Sequence, residues 1–245
     1  MNIILECEYG SQAYGLATKD SDSDLLAVNV ESPKYVTGLQ ESKTKRETTA
    51  GDGNRSQAGD TDRTIHPLRK WASLCAGGNP TILTTLFVPH YTVSTDHSLN
   101  FILHRDAFIS KKAGYAHLGY MNSQLKALQG ERHKNVARPE LEEKYGYDTK
   151  FAYHAVRLGV QGIQLMEHGM YTLPFEGEDR KLFMDIRNGE LAKQEVVYLI
   201  EYYAKQLKKT IDNTKLPDNA DYERINTLLH KVYQTEWDRY DYRNQ

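Results

Sequence analysis

An α+β fold is what this sequence predicts, with strands and helices mixed in the first third and helices alone thereafter. Three observations predict it. Ile3, Ile4, Leu5 and Cys7, and then Leu25 to Val30, are apolar stretches of strand length. Leu68, Trp71, Ala72 and Cys75 recur at helix spacing and are stopped by Gly77-Gly78. Beyond Asp96 the apolar positions follow a helical period almost throughout, as in Val196, Val197, Leu199, Ile200, Tyr203 and Leu207. The expected division is therefore a first domain over residues 1–96 and a helical domain over 97–245.

The first strand ends at Gly10-Ser11, where a residue without Cβ lets the backbone pass close to a phosphate and a hydroxyl stands beside it. Gly15, after Tyr14, lets the chain turn again. Ser21-Asp22-Ser23-Asp24 then opens the second strand, and alternation puts Asp22 and Asp24 on one face, where two carboxylates can share a divalent cation. Hard oxygen ligands suit Mg²⁺ or Mn²⁺. Gly-Ser is common in turns and Asp-x-Asp is common at caps and in solvated loops, so neither motif alone marks a site. Their order, strand, Gly-Ser, Tyr-Gly, Ser-Asp-x-Asp, strand, favours one.

Residues 38–60 are rich in Gly, Ser, Thr, Lys and Glu and almost free of apolar side chains, which predicts a long mobile loop. Lys43, Lys45 and Arg46 within it are candidates to fold over a triphosphate. Asp60-Thr61-Asp62-Arg63-Thr64-Ile65 follows as a brief extended segment, cut short by His66-Pro67. Asn79-Pro80 starts a further short helix. Phe101 to Leu128 reads as a helical run broken near Gly114, with Tyr115, Leu118, Tyr120, Met121, Leu125 and Leu128 inward.

Tyr147-Asp148-Thr149 caps a helix on which Lys150, His154, Arg157 and Gln161 follow one another at spacings that keep them on one face. Phe151, Ala155, Val156, Leu158 and Val160 are expected to pack while this basic stripe points away, either as a phosphate-binding face or as an ordinary solvated one.

The formal net charge of −2 argues against a protein coated in nucleic acid. The charge is uneven, however: between His104 and Gly159, ten Lys or Arg stand against six Asp or Glu. A basic middle suits a triphosphate, a nucleic-acid backbone, or both. No apolar run approaches the roughly 20 residues of a membrane span, and the first residues read as a strand and not as a signal peptide, so a cytoplasmic protein is expected. Cys7 and Cys75 read as reduced, buried thiols.

Gly10-Ser11 with Tyr14-Gly15, followed by Ser21-Asp22-x-Asp24, resembles the nucleotidyltransferases of the DNA polymerase beta superfamily. Gly77-Gly78-Asn79-Pro80-Thr81, and Tyr147-Asp148-x-Lys150 with His154 and Arg157-Leu158, narrow the resemblance to the predicted nucleotidyltransferases of bacteria and phages. It implies a small nucleotidyltransferase-type mixed sheet with flanking helices, followed by an all-helical C-terminal domain. It also implies a third carboxylate on a strand after the loop; Asp62 is the choice and Asp60 its competitor.

The implied activity is transfer of a nucleoside monophosphate from an NTP to an acceptor hydroxyl, with Mg²⁺ or Mn²⁺ held by Asp22, Asp24 and Asp62. Gly10, Ser11, Tyr14, Lys150, His154 and Arg157 are the implied nucleotide-binding residues. The acceptor is an RNA or DNA end, a protein side chain or a small molecule, and a non-catalytic nucleotide or RNA binder is the alternative from another class.

Overall fold

The computed structural model describes residues 1–19, 21–50, 59–130 and 138–243, the last four through their backbone alone. The chain forms two compact units, one of residues 1–76, 81–108 and 220–245, the other of residues 77–80 and 109–219.

The first unit is built on a mixed sheet. Its strands are β1 (Asn2–Glu8), β2 (Ser23–Val30), β3 (Lys45–Thr48), β4 (Thr61–Pro67) and β5 (Val93–Ser94), in the order β3-β4-β2-β1-β5. β1 pairs antiparallel with both β2 and β5, β3 pairs antiparallel with β4, and β2 and β4 are parallel. A parallel pair needs a long crossover, and residues 31–60 supply it, including the short helix α1 (Pro33–Val36).

β3 lies inside the segment that composition assigns to a loop. All four of its residues are exposed, because an edge strand needs only backbone partners on one side and so carries no apolar signal. Residues 51–58 of the same segment lie outside the described residues. β4 is a full strand in spite of Arg63 and Pro67, since register with β2 on one side and β3 on the other overrides the weak local signal.

Helix α2 (Leu68–Ala76) follows β4 directly, and α3 (Pro80–Leu83) starts after the Gly77-Gly78 turn. α4 (Asp96–Leu103) begins at a capping box in which Thr95 and Ser98 bond each other's backbone N–H. Trp71 of α2 meets Phe101 edge-on at 5.3 Å and Phe108 at 6.2 Å, and its indole N–H donates to Thr85 Oγ1 at 2.9 Å. Each such ring contributes about 2–3 kcal/mol by leaving water.

The buried carboxylate of Glu31 accepts from the Leu68 N–H at 3.0 Å and from the Tyr233 hydroxyl at 2.8 Å. It thereby ties the end of β2 to the start of α2 and to a later helix, α10. Cys7 and Cys75 are buried free thiols, Cys7 pushed up to about 12 by burial.

The second unit is helical: α5 (Lys111–Leu128), α6 (Pro139–Tyr145), α7 (Thr149–His168), α8 (Gly177–Arg187) and α9 (Lys193–Asn213). The last helix, α10 (Tyr222–Arg243), belongs to the first unit. α7 packs on α5, α8 and α9 and is buried along most of its length. A Cβ on Gly159 would fall 2.7 Å from Tyr203 Cβ, and one on Gly162 would fall 2.8 Å from a Leu207 methyl, so the absence of side chains brings α7 close to α9.

That close approach explains a difference in α5. Its buried face is Ala113, Gly114, His117, Met121 and Leu128, while Tyr115 and Tyr120 are exposed and Gly114 sits inside an unbroken helix. Met121 and Leu128 are buried as expected and Leu118 and Leu125 are half-buried, while Ala113, Gly114 and His117 take the inward places expected of Tyr115 and Tyr120. His117 is fully buried but satisfied: its Nδ1 pairs with the Ala113 carbonyl at 2.8 Å and its Nε2 with the Tyr171 hydroxyl at 3.0 Å.

Among the described residues, no helix is long and apolar enough to cross a membrane.

Candidate active site

The parallel pairing of β2 and β4 sets Asp24 directly opposite Asp62. Both therefore project from the same face of the sheet, and Asp22, two residues before Asp24, joins them. One carboxylate oxygen from each of Asp22, Asp24 and Asp62 lies within 4.8 Å of the other two, and all three residues are half-buried. Such a cluster of hard oxygens at that spacing fits a divalent cation of the Mg²⁺ or Mn²⁺ type. Asp60 is turned elsewhere: its carboxylate accepts from the Thr49 hydroxyl at 3.2 Å, and its carbonyl accepts from the Ser23 N–H at 2.9 Å.

The turn after β1 abuts this cluster. Gly10 adopts φ +65°, and a Cβ there would fall 2.8 Å from Asp24 Oδ2. Only glycine combines that backbone conformation with that proximity. The turn is closed by the Tyr14 N–H donating to the Gly10 carbonyl at 3.1 Å and the Leu16 N–H to the Ser11 carbonyl at 2.9 Å. Ser11 is half-buried and Tyr14 buried. The Tyr9 N–H donates to the Asp24 carbonyl at 3.0 Å, and burial first, then the Asp24 carboxylate, pushes the Tyr9 phenol up.

Lys150, His154 and Arg157 lie on one stripe of α7 in the helical unit. Lys150 is exposed, His154 half-buried and Arg157 buried, with the Arg157 guanidinium donating to the Gln161 side-chain oxygen. The stripe thus does not point to solvent along its length, because neighbouring helices cover α7 on several sides. Burial, then Arg157, Lys150, Arg138 and Arg187, holds the His154 imidazole well below its usual range, so it is neutral at physiological pH. His154 Nδ1 and Gln161 Nε2 have no hydrogen-bond partner among the described residues. At the head of the helix, Asp148 accepts from the Lys150 and Phe151 N–H groups and pairs with Arg138 at 3.0 Å.

Several residues on the aspartate face or near it escape a motif search: Tyr9 at the end of β1, Thr64 and His66 on β4, and Lys70 on α2; Arg46, expected in a loop, stands on β3. The available signal is the period of two running from Asp62 through Thr64 to His66, which puts all three on one face.

A mixed sheet that brings three aspartates together beside a glycine turn, with helices packed around it, is the arrangement of a nucleotidyltransferase-like protein of the DNA polymerase beta type. The chain belongs to RlaP, the RNA repair pathway DNA polymerase beta family, whose model matches residues 1–231. Among solved structures, a nucleotidyltransferase-like protein from Exiguobacterium sibiricum 255-15, at 1.90 Å resolution, is similar at 9% identity and a TM-score of 0.35, over 85% of this chain and 69% of that one. No curated protein matches the chain.

Proposed function

We propose that the protein is a metal-dependent nucleotidyltransferase that moves a nucleoside monophosphate from an NTP to the terminal hydroxyl of an RNA or DNA strand. The observation that carries this reading is the convergence of the Asp22, Asp24 and Asp62 carboxylates across a parallel strand pair. In the reaction the acceptor oxygen bonds to the α-phosphorus, the bond from that phosphorus to the bridging oxygen breaks, and pyrophosphate leaves with the electron pair. The acceptor proton passes to the Asp62 carboxylate.

Mg²⁺ or Mn²⁺, held by Asp22, Asp24 and Asp62, supplies charge neutralisation on the phosphoryl oxygens when bound. Gly10 and Ser11, in a turn anchored by the Tyr14 N–H, bind the triphosphate through backbone and hydroxyl donors. Lys150, His154 and Arg157 are the proposed phosphate-binding residues of the helical unit, and their place on one stripe of α7 supports that role. The acceptor assignment draws on the family's description as an RNA repair family.

The test is incubation of the wild type and Asp24→Asn with each α-labelled NTP, Mg²⁺ or Mn²⁺, and either single-stranded RNA or cell extract. The wild type transfers label to a nuclease-sensitive product, and Asp24→Asn does so about a thousandfold more slowly. Equal labelling by both proteins contradicts the assignment. A product sensitive to protease instead moves the acceptor to a protein, and nucleotide binding without transfer or metal dependence makes the protein a binder.

A further inference from the structure

The face of the sheet that carries the aspartates does not end with them. β3, β4, β2 and β1 are in a register that stacks successive rows on that face: Asp62 with Asp24, then Arg46, Thr64, Leu26 and Cys7, then His66 with Val28. Beside these rows lies an open pocket of about 540 Å³, within the roughly 300–1,000 Å³ of ligand sites. Its polar lining is Tyr9, Thr44, Arg46, Thr64, His66, Lys70 and Thr81, and no carboxylate lines it among the described residues. Along β4 it begins about 7 Å from Asp62 and runs to about 13 Å.

The chemistry of this lining is that of an anion site. Arg46 and Lys70 are exposed, and neither has an ion-pair partner among the described residues. Burial, then Lys70 and Arg46, lowers His66 to about 4, so the imidazole is neutral, and its Nδ1 pairs with the Thr44 hydroxyl at 3.1 Å. The opposite face of the same strands is arranged otherwise. There Arg63 is engaged by Glu6 at 2.5 Å and by Glu47 at 3.1 Å, which neutralises it within the protein. Two cations are thus left facing a cavity on the aspartate side, while the cation on the other side is already paired.

The position of the pocket says which substrate it meets. The glycine turn touches Asp24 at the end of the sheet that carries the aspartates, whereas the pocket runs along the strands away from them, from Tyr9 and Leu26 across Thr64 to Arg46 and on to His66. A triphosphate on the turn leaves the pocket for the other reactant, whose hydroxyl loses its proton beside Asp62. Two cations with hydroxyl donors match singly charged phosphodiesters in number and charge.

We propose that the pocket formed by Arg46, Lys70, Thr44 and Thr64 holds the phosphodiester backbone of a single-stranded acceptor, fixing its terminal hydroxyl at Asp62. This inference rests on the nucleotidyltransferase reading and adds where the acceptor strand's backbone is held and the path it takes to Asp62.

The test is equilibrium binding of fluorescein-labelled single-stranded RNA and DNA dodecamers to the full chain, without NTP, by anisotropy over a range of salt. It compares the wild type with Arg46→Ala/Lys70→Ala and with Lys45→Ala, whose lysine lies one residue from Arg46 and projects from the other face. The double variant binds at least one dodecamer about tenfold more weakly, and its log–log salt slope is shallower by about 1.4, for two lost contacts to a single strand. Lys45→Ala stays within about twofold of the wild type, and thermal stabilisation by each NTP with Mg²⁺ is the same in the wild type and the double variant.

An unchanged affinity and slope overturn the proposal, as does a wild type that binds neither dodecamer. An equal loss in Lys45→Ala overturns it by reducing the effect to general charge, and a loss of NTP-dependent stabilisation in the double variant does so by making the pocket a triphosphate site. Because the assay involves no transfer, its failure is separate from a failure of the Asp24→Asn comparison, which speaks to the chemistry alone.

Discussion

The sheet unit and the helical unit both gather charged side chains, but they do so in opposite ways. In the sheet unit like charges are drawn together: one carboxylate oxygen from each of three half-buried aspartates lies within 4.8 Å of the other two, a spacing that suits a shared cation. In the helical unit, charged and polar groups are largely settled within the protein, with Asp148 on the helix cap and Arg138, and Arg157 on Gln161. The aspartate cluster has the geometry of a cation site, and the α7 stripe is part scaffold and part candidate contact.

The comparison is broken most forcefully at the aspartates. Asp62→Asn removes the proposed proton acceptor and one metal ligand at constant volume, and transfer is expected to fall about a thousandfold or more, roughly 4 kcal/mol of barrier. The melting temperature should change little, since the substitution keeps the side chain's size. A large loss of stability in this variant would show the cluster to be structural.

Arg157→Ala is the mirror experiment. It leaves Gln161 without its partner inside a packed bundle, and unfolding by urea should show a loss of about 3 kcal/mol. An unchanged midpoint would remove Arg157 from the scaffold.

Acid sharpens the contrast in a graded way. Burial lowers His117 to about 4, against about 6.5 in the unfolded chain, so between these values the unfolded state binds the extra proton. Stability from this residue is complete above about pH 6.5 and is lost as pH falls toward 4. Between pH 7 and pH 5 the loss is about 2 kcal/mol. His117→Leu should flatten that part of the urea-midpoint profile; an equally steep profile would assign the acid sensitivity to other groups.

The smallest effect is expected at Lys150, the exposed member of the stripe. Lys150→Ala should raise the KM for NTP about tenfold with kcat and melting temperature nearly unchanged. An unaltered KM would leave Lys150 as a solvated surface charge.

How much of this was legible in the sequence follows from how local each signal is. Asp22 and Asp24 are readable because alternation along a single strand brings them together without help from the rest of the chain. Asp62 needs a partner strand: its place opposite Asp24 depends on a parallel register across a long crossover, and only family resemblance pointed to it. Arg46 was legible as a cation of the expected loop, but its place on the sheet was not. β3 is an exposed edge strand with no apolar residue, so composition assigned it to a loop, and the alternation that sends Lys45 and Arg46 to opposite faces stayed invisible.

In the helical unit the buried face of α9 was readable, with Val196, Ile200 and Leu207 inward, whereas the short helices α6 and α8 were not. On α5, Tyr115 and Tyr120 look like core residues until packing against the neighbouring helices turns Ala113, Gly114 and His117 inward beside Met121 and Leu128. Arg157 and Gln161, spaced like a solvent-facing stripe, were buried by the same packing.

The central claim, that three carboxylates share a divalent cation, is tested most directly by titrating Mn²⁺ into the protein and following free Mn²⁺ by electron paramagnetic resonance. The account predicts saturable binding to the wild type that is weakened at least tenfold in both Asp24→Asn and Asp62→Asn. Binding of equal strength in all three proteins would contradict it.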